Sequence, residues 1–285
     1  MDIDPGVVYQ HSPCYCGRQV NFDKQSRTRT QENALGYSSD ELEGVIIAGN
    51  TFDFPTQHTR AFLLGHPDLS ISSCSKDALV QGVSLRNYQA LDLICGAQRA
   101  DGYSMNASSA LTPELCNILS DFTSQGGSLL VSGAYWGGEA NADFTANVLH
   151  FKAEGQVELT DSTNTMQGMN TQFSIYCEPN EEQYAVRRID IINPLPDAFC
   201  SVVSVGPLRN LSESVPDPLL SPSEDSQISQ GSPSDAAPMS LRSFSVAYSG
   251  TDYRTIAFSL PLECIREADT RNAVLSASLS YLFQR

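Results

Sequence analysis

Residues 111–139, LTPELCNILSDFTSQGGSLLVSGAYWGGE, constrain this chain more than any other stretch. Leu111, Leu115, Ile118, Leu119 and Phe122 recur at helical spacing. Thr112, Pro113 and Glu114 supply a cap, a first helical residue and a first-turn acid, and Gly126-Gly127 supplies a left-handed stop. Ser128 to Ser132 then predicts a short strand. The small residues around it, Gly133, Ala134, Gly137 and Gly138, predict a tight elbow presenting Tyr135, Trp136 and Glu139. In open α/β sheets the ligand crevice lies at the carboxyl ends of the strands, so chemistry is expected at this elbow.

The same logic extends upstream. Gly44-Val45-Ile46-Ile47-Ala48-Gly49 is a nearly continuous apolar run, as expected for a strand buried on both faces. A polar turn, Asn50 to Asp53, and a helix from Pro55 follow it. Residues 69–73 and 88–96 predict further strands, 77–82 a turn or short helix, and 143–150 another helix. This alternation predicts a three-layer α/β/α sandwich with a mainly parallel sheet. From about Phe151 strands dominate, at 156–159, 172–177, 184–192 and 201–205, which predicts an antiparallel β extension. Two more strands, 244–248 and 255–260, are joined by the hairpin signal Ser249-Gly250-Thr251-Asp252. A closing helix over 267–283 is expected to pack back on the sheet.

Residues 1–40 show no sustained period and are expected to form an irregular arm, leaving residues 41–285 as the α/β domain. Within it, residues 210–240 are rich in Ser, Pro and acids with no basic residue, and predict a disordered insertion. At 285 residues with 41% hydrophobic content, the chain can bury a sizeable core. Its net charge of −16 argues against a nucleic-acid partner, because phosphate binding needs clustered Lys and Arg. No apolar run is long enough to span a membrane, and the first residues, MDIDPGVVYQ, lack the pattern of a signal peptide. Among eight cysteines only Cys14 and Cys16 are closely spaced, so no four-ligand metal pattern forms and neither metal nor cofactor is expected. Cys95, Cys116 and Cys264 lie in apolar stretches and are expected to be buried thiols.

Taken together, GVIIAGNTFDFP, ALDLICG, the 111–137 segment, TDYRTIAFSLPLECI and the closing helix resemble a family of bacterial secreted proteins carrying the label xanthan lyase. The relevant domain of that family is similar to class I glutamine amidotransferases, with a flavodoxin-like, Rossmann-like fold. The resemblance covers roughly residues 40–285 and implies a secreted, periplasmic or cell-surface setting, neighbouring domains in a longer chain and a polysaccharide context. In amidotransferase-like enzymes the elbow reads G-x-C-x-G, with a Cys nucleophile activated by a His. Here it reads Gly133-Ala134-Tyr135-Trp136-Gly137, and the matching late strand, 258–264, holds no His. Both departures argue against glutaminase or cysteine-hydrolase chemistry.

A phenol, mostly protonated at neutral pH, is a poor nucleophile, although Tyr135 is a plausible acid or base for β-elimination from a sugar. Glu139 with Asp53 is a candidate carboxylate pair, and His58 a candidate for the same crevice. Each has a plainer reading: Tyr135 and Trp136 pack over the sheet edge, Asp53 caps a helix, and Glu139 is solvated. Asn50, Gly133, Trp136 and Gly137 are the candidate binding residues, with Trp136 and Tyr135 as an aromatic shelf for a carbohydrate ligand. The expected function is a non-catalytic, degenerate amidotransferase-like module of a secreted polysaccharide-processing protein that binds a glycan or partner domain. A glycan hydrolase or polysaccharide lyase using Tyr135, Glu139, Asp53 and His58 is the alternative.

Overall fold

A computed structural model describes residues 54–98, 109–159, 164–177, 185–204, 209–210 and 242–284. In chain order these form α1 (Phe54–Gly65), α2 (Lys76–Val80), β1 (Ala90–Gly96), α3 (Pro113–Ser124), β2 (Ser128–Gly133), α4 (Trp136–Glu139) and α5 (Ala142–Asn147). Then come β3 (Phe151–Glu158), β4 (Thr165–Gly168), β5 (Thr171–Ser174), β6 (Arg188–Pro194), β7 (Ala198–Ser204) and β8 (Arg209–Asn210). The chain closes with β9 (Ser243–Ser249), β10 (Arg254–Phe258), a 3-10 turn (Leu262–Cys264) and α6 (Ala268–Phe283).

The expected mainly parallel three-layer sandwich is not the fold. One curled, half-barrel sheet of seven strands runs β1-β2-β10-β9-β7-β4-β5, and a second sheet runs β6-β3-β8. Only β1, β2 and β10 are parallel neighbours, and the other four pairings of the large sheet are antiparallel. The cause lies in the connections. A parallel joint needs a crossover long enough to carry a helix, as α3 does between β1 and β2. Later neighbours are joined more tightly: β4 to β5 and β9 to β10 are hairpins, and β4, β5 and β7, which the sequence places in a separate extension, continue the main sheet, while β3, β6 and β8 form the second one. Residues 69–73 form no strand, while β4 and β8 are strands that the pattern did not predict.

Of the three parallel strands β2 and β10 are buried on both faces, and the edge strand β1 is partly buried. Toward α1 and α6 they send Leu130, Ile256 and Phe258, which join Ala61, Phe62, Val274, Leu275 and Leu282. Toward α3 they send Leu93, Leu129, Val131 and Ala257, which meet Leu115 and Leu119. Helix α3 has the predicted boundaries because its ends are chemically fixed: the Thr112 side chain accepts the Leu115 N–H, Pro113 opens the helix, and Gly126 turns left-handed at φ 89°. Cys95, Cys116 and Cys264 are buried free thiols. No helix among the described residues is long and apolar enough to cross a membrane.

Candidate functional site

Where β2 ends, the chain turns within three residues. Gly133 has φ 147° and lies so close to β1 that a Cβ there would sit 2.7 Å from Cys95 Cβ and 2.8 Å from the Gly96 carbonyl oxygen. Ala134 donates its N–H to that carbonyl at 2.7 Å, and Gly133 donates to Leu260 O at 3.2 Å, so the elbow is stitched to both neighbouring strands. Tyr135 follows in the left-handed region at φ 68°, a conformation that costs a side-chain-bearing residue energy and recurs at functional sites. An elbow holding a strained Tyr135 is thus present.

Its surroundings differ from the expected shelf. Trp136 is not exposed: it is 0% accessible, its Nε1–H donates to Phe258 O at 3.1 Å, and its ring meets Phe151 edge to face at 5.6 Å. An indole committed on both counts has no face left for a sugar. The N-terminus of α4 is filled as well. Gly138 donates its N–H to Asp190 Oδ2 at 3.1 Å, while Gln156 Nε2 donates to Asp190 Oδ1 at 2.9 Å. Burial raises the Asp190 carboxyl, and the donors from Gln156, Gly138 and Gly137 pull it back. A Cβ at Gly137 would lie 3.1 Å from both Asp190 Oδ2 and Ile192 Cγ2, so either side chain would have to give by a few tenths of an ångström. The backbone donors that open α4 are therefore taken by the protein's own carboxylate, supplied by β6. Glu139, at the far end of α4, is exposed. Asn50 and Asp53 lie outside the described residues.

His58 sits apart, within α1, 1% accessible. Its Nδ1–H donates to Asp92 Oδ2 at 2.7 Å, and its Nε2 lies 3.6 Å from Glu263 Oε1. Asp92 comes from the middle of β1 and Glu263 from the turn after β10, so the imidazole links two strands across the face covered by α1. Burial alone would lower the His58 pKa, but the adjoining Asp92 carboxylate and, less strongly, Glu263 raise it overall. Burial raises the Glu263 carboxyl, with the His58 charge opposing that shift. With a carboxylate at each ring nitrogen, His58 has the setting of an imidazolium clamp rather than of a general base open to substrate.

The sequence pattern singled out His58 but not its partners. A signal was available: Asp92 interrupts the apolar strand ALDLICG, and Glu263 interrupts LPLECI. A lone acid in an apolar run is buried and needs a buried partner.

No family model and no curated protein matches this chain. Among solved structures it is similar to the β-galactosidase of the haloarchaeon Halorubrum lacusprofundi, with 13% identity and a TM-score of 0.39 over 70% of this chain and 23% of that one. A β-galactosidase from Bacillus circulans sp. alkalophilus gives 11%, 0.38, 70% and 23% in the same order. A cytoplasmic protein of Salmonella typhimurium LT2 gives 11% identity and a TM-score of 0.45 over 81% of this chain and 87% of that one. The chain thus spans less than a quarter of either β-galactosidase.

Proposed function

We propose that this chain is a non-catalytic module of a secreted polysaccharide-processing protein, binding a glycan or a neighbouring domain rather than turning over a substrate at its elbow. The observation that carries this reading is the occupied turn: the Asp190 carboxylate already accepts the Gly138 N–H at the start of α4, beside the elbow. Two further facts support it. Trp136 is sealed beneath the elbow, and both nitrogens of His58 face carboxylates of the chain itself.

The alternative, a glycan hydrolase or lyase, draws on one observation, the left-handed backbone of Tyr135. Incubation of the intact chain with neutral and uronate-containing polysaccharides, followed by assays for new reducing ends and for unsaturated uronate products, separates the two. The module reading expects neither product. Turnover that Tyr135→Phe abolishes would overturn it.

A further inference from the structure

At the opposite end of β10 from the elbow, three side chains, from the β6–β7 turn, the β9–β10 hairpin and the end of β9, converge on one imidazole. His150, between α5 and β3, places Nδ1 2.8 Å from Asp197 Oδ2 in the β6–β7 turn and Nε2 3.0 Å from the hydroxyl of Tyr253 in the β9–β10 hairpin. Its ring stacks on Tyr248 with centroids 3.5 Å apart and planes 8° from parallel, and Tyr248 and Tyr253 lie 5.3 Å apart at 47°. The Tyr253 hydroxyl also donates to Asn147 O at 3.1 Å. Gly250 leaves room for the Tyr248 ring, since a Cβ there would lie 2.6 Å from the Tyr248 hydroxyl.

Two features set this cluster apart from an ordinary loop staple. His150 is buried yet held at φ 57°, a strained backbone for a residue with a side chain. The groups it orders nevertheless face water: the Asp197 side chain is 55% accessible, and Tyr248 and Tyr253 are half-buried. The imidazole acts as a positioning residue, fixing an exposed carboxylate and a phenol on opposite sides of one aromatic stack.

We propose that Asp197, Tyr253 and Tyr248 form a binding site for a neutral glycan, which moves the ligand contact away from the elbow; the site rests on the binding-module reading above. Sugar hydroxyls donate to the Asp197 carboxylate in charge-assisted hydrogen bonds and to the remaining lone pair of the Tyr253 oxygen, whose own proton goes to Asn147 O, while the apolar face of the pyranose lies against the tyrosine rings. Charge selects the class. An exposed carboxylate in the site and a net charge of −16 disfavour uronate polymers. Arg254, beside the hairpin, is committed to the Tyr281 ring at 4.9 Å and offers no free cation to an acidic sugar, although Lys152 on β3 is exposed.

The test is affinity gel electrophoresis of the full chain in gels containing galactomannan, hydroxyethyl cellulose or, as the anionic comparison, polygalacturonate. Retardation by at least one neutral polymer and not by polygalacturonate is expected. Asp197→Asn and Tyr253→Phe should each weaken it at least tenfold in protein that remains folded at the assay temperature, with only a modest drop in unfolding midpoint from the lost His150 contact. Neutral-polymer retardation that survives both substitutions, or is lost in Tyr135→Ala instead, overturns this placement and leaves the binding-module reading standing. Retardation by polygalacturonate alone overturns the neutral-sugar class. No retardation in any gel overturns the site and glycan binding together.

Discussion

His58 Nδ1 lies 2.7 Å from Asp92 Oδ2 beneath α1, and the same ring presents Nε2 to Glu263 at 3.6 Å. The three groups come from α1, β1 and the turn after β10, so one imidazole ties the helix to both outer members of the parallel trio. The tie is sensitive to protonation. His58 Nε2, Asp92 Oδ1 and both Glu263 oxygens make no hydrogen bond among the described residues, so their stabilisation is chiefly electrostatic and depends on the ring being charged.

Folding stability should therefore fall as pH rises. The pKa values of His58, Glu263 and Asp190 are all raised in the fold, so the native state holds more protons than the unfolded chain in the intervals above their ordinary values. The His58 contribution is complete below its unfolded value of about 6.5 and is lost as pH climbs through its higher folded value. Urea unfolding at several pH values between 5.5 and 8.5 should show this decline, and His58→Gln should flatten it. A wild-type stability that rises across that range would contradict the clamp.

Gly133→Ala should be among the most damaging single-methyl changes in the chain. The new Cβ meets Cys95 Cβ and Gly96 backbone inside 3 Å and also sits on a backbone with φ 147°. A loss of roughly 2–4 kcal/mol is expected. Gly82→Ala isolates the backbone component, because Gly82 has φ 112° with nothing within 4 Å of the added carbon, and should cost only about 1 kcal/mol. Equal losses in the two variants by chemical denaturation would show that the elbow does not need the close approach.

These contrasts mark where the sequence was legible. Helix α3, β2 and the tight turn at Gly133 rest on local chemistry, caps and left-handed glycines, and a short window contains all of it. The global sheet does not follow from such windows: the apolar pattern of β9 and β10 is compatible with parallel or antiparallel neighbours, and connection length decides. Trp136 departs from the local pattern for a related reason. A turn rich in glycine announces a sharp bend but not which of two adjacent aromatics points inward; here Trp136 goes under the elbow because Phe151, from a later strand, builds a pocket there. Asp190 was invisible because it sits in the strand RIDIINP, 52 residues beyond the Gly138 N–H that it accepts. The His150 cluster leaves no local signature because its members stand far apart in sequence, and no spacing rule links residues 150, 197, 248 and 253.

Trp136→Ala should destabilise the fold by roughly 3–5 kcal/mol, since it deletes a fully buried indole. Trp136→Phe retains much of the ring contact with Phe151 but leaves the Phe258 carbonyl without its indole donor, adding about 1–3 kcal/mol to a smaller packing loss. Neither loss requires a ligand. Denaturation midpoints with and without a neutral polysaccharide should therefore shift in parallel for wild type and Trp136→Phe. If the polysaccharide stabilises wild type but not Trp136→Phe, the indole contributes to ligand binding despite its burial.

Asp190 offers the sharpest separation between a filled cradle and a vacant anion site. Its two oxygens accept from Gly138 N–H and Gln156 Nε2; Gly138 is exposed and Gln156 half-buried, so Asp190→Ala leaves both donors to water and should cost roughly 1–2 kcal/mol. Asp190→Asn keeps an oxygen for one donor but turns an NH2 group toward the other, and should cost about half as much. If the carboxylate serves only to satisfy the start of α4 and β3, added acetate or phosphate will not restore stability to wild-type levels and no activity will emerge. An Asp190→Ala variant that binds such an anion and regains its unfolding midpoint would show instead that the elbow retains a working anion cradle, which Asp190 blocks.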